Sequence, residues 1–129
     1  MELIRSTISA QLPARVVTRS LLDFAQRKDA DLLAGVYTVL SRGERDYAGY
    51  IGREAQLGTQ DLLIVGQIKL VETSEPYEIE EAEFAMVAEI CAFLGALPDG
   101  IGGLRLKGFR QSAQMEHPYG WVAFDLEMN

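Results

Sequence analysis

The sequence predicts an α+β fold: one domain over residues 1–129, with a mixed or mostly antiparallel sheet of four to five strands and two main helices packed on one face, in the order α-β-β-α-β-β. Three observations predict it. Residues 78–97 repeat apolar side chains at helical spacing, whereas residues 62–71 and 121–128 repeat them at a spacing of two. A chain of 129 residues, 48% hydrophobic and 24% charged, has the composition of a globular protein and the length for one core.

The first helix covers residues 2–12. Leu3, Ile4, Ile8 and Leu12 fall near one face, and Pro13 ends it because proline has no amide donor and disfavours helix in the residue before it. Arg15, Val16, Val17 and Thr18 read as a short edge strand. Residues 21–27 fit either a helical turn or an ordered loop. From Leu32 to Ser41 the β-favouring residues Val36, Tyr37, Thr38 and Val39, with Leu32, Leu33 and Leu40, predict a strand buried on both faces. Residues 42–46 follow as a turn or a twisted extension of that strand. Residues 47–59 carry Gly49, Gly52 and Gly58 without a period, and read as a loop or long hairpin arm.

The second strong strand spans residues 62–71, with Ile64, Ile68 and Leu70 on one face and Gln67 and Lys69 marking the other as partly wet. In the long helix, Ile79, Ala82, Met86, Ile90, Phe93 and Leu97 form one stripe, widened by Val87, Cys91 and Leu94. Pro98, Asp99, Gly100, Gly102 and Gly103 close it. A hairpin then ends the chain. Leu104 and Leu106 alternate with Arg105 and Lys107. Val122, Phe124, Leu126 and Met128 alternate with Trp121, Ala123, Asp125 and Glu127, which gives the last strand one wet face. With helices on one side only, the other side of the sheet is left to water or to a partner.

The net charge of −7 repels phosphate backbones and anionic headgroups, and argues against ordinary nucleic-acid binding. No apolar run approaches the length of a membrane span, and the start of the chain lacks the apolar core of a signal peptide. The single cysteine, Cys91, builds neither an internal disulfide nor a thiolate zinc site, so a reduced cytosolic setting is expected. Cys91 reads as a core residue. His117, in the turn before Pro118, reads as a surface histidine with no nucleophile elbow to serve. The glycines at 100, 102 and 103 follow a helix and precede a strand, the reverse of a dinucleotide loop. Catalytic, cofactor-binding and metal-ligating residues are therefore not assigned, and a structural subunit rather than an enzyme is expected.

The candidate site residues are surface ones. Tyr119 and Trp121 sit on the wet face of the last strand, and Tyr47, Tyr50 and Arg53 in the glycine-spaced arm. Aromatic side chains and arginine are the types that protein interfaces favour. Trp121 also fits a second reading, packed under the N-terminal segment. Glu78, Glu80, Glu81 and Glu83 crowd the start of the long helix, where carboxylates meet the positive end of its dipole. They read as a solvated face, since a calcium site adds a glycine-containing loop of oxygen ligands. Arg42, Arg45 and Arg53 of the arm, residues 42–60, are expected to meet an acidic surface such as that helix start on a neighbouring copy.

In layout the chain resembles the tail terminator proteins of long-tailed bacteriophages, the family of the lambda-type minor tail protein U. The resemblance spans most of the chain: the short first helix, the strand from Leu32 to Leu40, the polar arm, the strand from Asp61 to Val71, the acidic helix, and the closing strand Gly120-Trp121-Val122-Ala123-Phe124-Asp125-Leu126-Glu127-Met128. It implies a structural protein that closes into a hexameric ring on the finished tail tube, with about six copies related by rotation. Such a ring stops tube polymerisation and offers the surface that meets the head connector protein. It also implies assembly in the bacterial cytoplasm, a final place in the virion tail, and a bore that passes DNA without specific binding. Two other classes compete: another neck or head-completion subunit, which differs in its partner, and a bacterial α+β ligand-binding domain, which needs a deep pocket with convergent polar groups.

Overall fold

The computed structural model describes residues 1–45 and 58–128. The elements are α1 (Glu2–Gln11), β1 (Val16–Thr18), a 3-10 turn (Phe24–Gln26), α2 (Asp29–Ala34), β2 (Val36–Arg45), β3 (Thr59–Lys69), α3 (Pro76–Leu94), a second 3-10 turn (Asp99–Ile101), β4 (Leu104–Gln111) and β5 (Tyr119–Met128). The fold is α+β. Five strands form one mixed sheet in the order β1-β2-β3-β5-β4. β1 runs parallel to β2, and the other neighbours are antiparallel.

One face of the sheet carries the core. Tyr37 and Val39 of β2, Leu62, Ile64 and Ile68 of β3, and Val122, Phe124 and Leu126 of β5 meet Ile4 and Ile8 of α1 and Met86, Ile90 and Phe93 of α3. The period of two in the strands and of 3.6 in the helices puts these residues on facing surfaces. Gly66 lets α3 approach the sheet: a Cβ there would stand 2.9 Å from the Met86 methyl. α3 starts with Pro76 inside its first turn, and Glu75 and Glu78 form a reciprocal capping box.

Several expectations are corrected. Leu32 and Leu33 belong to α2, not to a strand. The chain leaves that helix through Gly35 at φ +87°, which an L side chain rarely adopts, so β2 begins only at Val36. Leu32 is buried and Leu33 is 52% exposed, as one turn of helix dictates. α3 ends at Leu94 rather than at residue 97. Leu3 of the first helix faces outward, with Ile4 and Ile8 inside. Of the two readings of residues 42–46, the strand extension is the one found for 42–45, which carry β2 past a bulge at Ser41 and Gly43. Cys91 is exposed, because Ile90 and Phe93 point at the sheet and position 91 rotates off that stripe. Gln67 is buried, since residues 20–27 fold over that end of the second face. Glu83 is buried at 1% exposure and does not belong to the acidic surface. Tyr47, Tyr50 and Arg53 lie outside the described residues.

Candidate functional site

Helices cover one face of the sheet, and the other face is built from the alternate residues of the same strands. Register pairs Asp61 with Glu127, Leu63 with Asp125, Val65 with Ala123 and Gln67 with Trp121. These side chains point away from the core that Leu62, Ile64, Phe124 and Leu126 fill. Three zones follow one another along the strands.

The first is charged. Arg42 reaches Asp125 at 2.7 Å. Arg45 bridges Asp61 at 2.9 Å and Glu127 at 2.5 Å. Arg105 holds Glu127 at 2.6 Å, and Lys107 lies 3.8 Å from Asp61. Arg42, Asp61, Lys107 and Asp125 line a small pocket of about 180 Å³. The hydrogen bond from Arg45 holds the Asp61 carboxyl below its ordinary range; desolvation works against this, and the charges of Arg45, Lys107 and Arg42 add to it. Asp61 Oδ1 has no hydrogen-bond partner among the described residues. Arg42 and Arg45 thus have acidic partners on their own sheet. Their side chains remain 54% and 42% exposed, so each pair contributes little to stability and much to the charge pattern of the surface.

The second zone is apolar and half-buried: Leu40, Leu63 and Val65, beside buried Ala123. The third is partly roofed by residues 20–27. Arg27 ties that segment down, donating from Nε to Gln67 Oε1 at 2.7 Å and from Nη2 to Thr38 Oγ1 at 3.0 Å and to the Ser20 carbonyl at 2.9 Å. Burial lowers the Arg27 pKa, and Asp31 opposes the shift. Tyr119 packs against Phe24 with ring centroids 4.9 Å apart and the planes tilted by 39°, and the Lys69 ammonium lies 5.4 Å from its ring. The Trp121 indole donates to Glu116 Oε1 at 3.2 Å. Asp23, Phe24, Ala25, Val65, Gln67, Glu116 and Trp121 line an open groove of about 450 Å³. Trp121, half-buried, thus shares a groove with Asp23, Phe24 and Ala25 of the segment before α2.

The proposed acidic partner patch is narrower than its sequence run. Glu80 and Glu81 are exposed, Glu78 accepts the Glu75 amide at 2.5 Å, and Glu83 is inside. His117 is half-buried and latched. Its Nε2 lies 2.7 Å from the Ser74 carbonyl, an acceptor only, so Nε2 carries the proton. Ser74 Oγ, 3.1 Å away, donates to the Val71 carbonyl at 2.6 Å. A histidine with its proton on that nitrogen has no lone pair there to take the serine's, so the pair ties two connections together and is not set up as nucleophile and base.

Sequence reasoning missed the cluster of Arg15, Tyr37 and Glu89. Arg15 donates from Nε and Nη2 to the two Glu89 oxygens, both at 2.9 Å, and from Nη1 to the Ala34 carbonyl at 2.8 Å. Burial works against the Arg15 charge, but the bond and field of Glu89 outweigh it and leave the pKa raised. No spacing signal links residues 15, 37 and 89. Among the described residues, no group of three or more histidine, cysteine or acidic side chains converges as a metal site, and no helix is long and apolar enough to cross a membrane. Neither a comparison with protein-family models nor a search of curated proteins finds a match to this chain.

Proposed function

We propose that this chain is a structural subunit of a phage or prophage tail: a tail terminator that closes into a ring on the tail tube, stops its growth and presents the surface that joins the head connector. The observation that carries the reading is the asymmetry of the sheet. One face is covered by α1 and α3, while the other sets a charged network, an apolar strip and an aromatic groove side by side. A closed ring joins one patch to a different patch on the next copy, and this face is one such patch. The exposed start of α3, with Glu80, Glu81, Tyr77 and Phe84, is the other. Arg42 and Arg45 on the first complement the carboxylates on the second. The resemblance of the sequence to tail terminators supports the same reading, and a net charge of −7 suits a bore that DNA crosses without sticking. Assembly then takes place in the bacterial cytoplasm, and the finished ring resides in the virion tail.

The test is absolute mass by sedimentation over a range of protein concentrations, with and without purified tail tubes, beside negative-stain imaging. A ring of about six copies, free or on tube ends, is expected. Reversing Arg42 and Arg45 to glutamate should abolish the ring while the monomer still melts cooperatively. A chain that stays monomeric and fails to co-sediment with tubes overturns the reading. Rings found on the head connector and never on the tube would make it a neck subunit.

A further inference from the structure

The groove beside Trp121, one part of that face, has a chemistry of its own. Its walls include two aromatic rings, Phe24 and Trp121. Ala25, Val65 and Gln67 complete its surface, and Asp23 and Glu116 add two carboxylates. Among the described residues, no cationic side chain lines it. Arg27 is committed to Gln67, Thr38 and the Ser20 carbonyl, outside the lining. At about 450 Å³ it has room for one long side chain and the backbone that bears it.

The surrounding contacts fix these parts in place. The indole of Trp121 is held by Glu116 Oε1, and Oε2 has no hydrogen-bond partner among the described residues. Phe24 packs against the tilted ring of Tyr119, with centroids 4.9 Å apart. Gln67 accepts from Arg27 and donates to the Leu22 carbonyl at 3.0 Å, so its amide cannot turn freely. A reciprocal capping box between Asp23 and Gln26 fixes the turn that carries Phe24. A site whose parts are already ordered loses little entropy when it is filled.

We propose that this groove binds an arginine side chain presented by a partner protein. An anion would meet two carboxylates on a chain of net charge −7. A purely apolar occupant would desolvate both carboxylates without pairing them. A guanidinium answers both conditions: it is planar and weakly hydrated, stacks on an indole face and forks to a carboxylate. An ammonium supplies the charge but not the stack. The inference goes beyond the assembly reading and does not rest on it, because a monomer carries the whole groove.

Trp121 is the sole tryptophan, so its fluorescence reports this groove alone. The probes are Nα-acetyl-arginine amide and a short arginine-bearing peptide, each matched to its citrulline counterpart, which keeps the shape and loses the charge. Arginine should change the emission saturably, and citrulline should bind about tenfold more weakly. Glu116→Gln keeps an acceptor for the indole. It should weaken arginine binding about tenfold with the melting temperature unchanged. Asp23→Asn should weaken it as well, and added salt should reduce binding further. Citrulline binding as tightly as arginine overturns the proposal, as does wild-type affinity in both variants. An emission that shifts with protein concentration alone would put a second copy in the groove and overturn the partner assignment. Mass measured on the same samples separates the two readings: a monomer that binds arginine but joins no tube ends the assembly reading alone, and a ring indifferent to arginine ends this one alone.

Discussion

Glu83 lies under the last hairpin with 1% of its surface exposed and no cation bonded to it among the described residues. It accepts from the Ser112 hydroxyl, from the Trp121 amide at 3.0 Å and from Gln111 Nε2 at 3.3 Å. One side chain of α3 thereby holds both strands of the hairpin, and holds Trp121 from its backbone while Glu116 holds its ring. Residues 79, 83, 86 and 90 are spaced as a helical stripe, so the position was legible in the sequence. Its charge hid it, because carboxylates at a helix start are usually solvated. Glu83→Ala should lower unfolding free energy by about 3 kcal/mol, since it strands buried donors and opens a cavity. Glu83→Gln should lower it by about 1–2 kcal/mol: it keeps one acceptor and sets a donor against Gln111. Urea denaturation monitored by circular dichroism measures both. An alanine variant within about 0.5 kcal/mol of wild type would remove Glu83 from the structural account.

Among the elements, those with a clean period were the legible ones. β5 alternates along its length, and α3 carries its stripe from Ile79 to Phe93. α2 was lost because Leu32 and Leu33 suit strand and helix alike in so short a run, and only the left-handed backbone at Gly35 separates the two elements. Cys91 was misplaced because a stripe drawn too wide takes in a residue that has turned to solvent. Two of the contacts between elements that depend on a missing Cβ, both on the sheet under α3, differ in what would have to move. A Cβ on Gly120 would stand 2.7 Å from Ile79 Cγ2 and 2.9 Å from Glu83 Oε2, both fixed in the packed face of α3. A Cβ on Gly66 would stand 2.9 Å from the Met86 methyl, the free end of a flexible side chain. Gly120→Ala should therefore cost about 2–3 kcal/mol, and Gly66→Ala about 1 kcal/mol. Paired thermal melts test the order. Equal losses would show that α3 shifts as a body and absorbs either change.

The arrangement of the whole molecule was the least legible, because sheet order is not written in any local pattern. β5 inserts between β3 and β4, and that insertion brings Asp61 beside Glu127 and gives Arg45 both as partners. The same holds on the core side, where Arg15, Tyr37 and Glu89 join the approach to β1, the start of β2 and the middle of α3. Tyr37 is fully buried, and its hydroxyl lies 2.7 Å from Glu89 Oε1 and 3.1 Å from the Met86 carbonyl. With one proton to donate, it serves the carboxylate at the shorter distance. Burial first, then the bond and charge of Glu89, push the Tyr37 pKa far above the ordinary tyrosine range, with Arg15 opposing. The sign follows from linkage. In the unfolded chain Tyr37 ionises near pH 10, and in the folded chain it does not, so its contribution is complete below about pH 10 and declines above it. Tyr37→Phe should be less stable than wild type at neutral pH by about 1–2 kcal/mol, through loss of the bond to Glu89. Above about pH 10 the gap should narrow by about 1.4 kcal/mol per pH unit, because phenylalanine has no proton to lose in the unfolded state. Comparing the two proteins cancels the other tyrosines, which titrate in both. Urea midpoints from pH 8 to pH 11.5 supply the measurement. A gap that stays constant across that range would mean that Tyr37 ionises equally in both states, and that the link between the N-terminal segment and α3 is not closed by its proton.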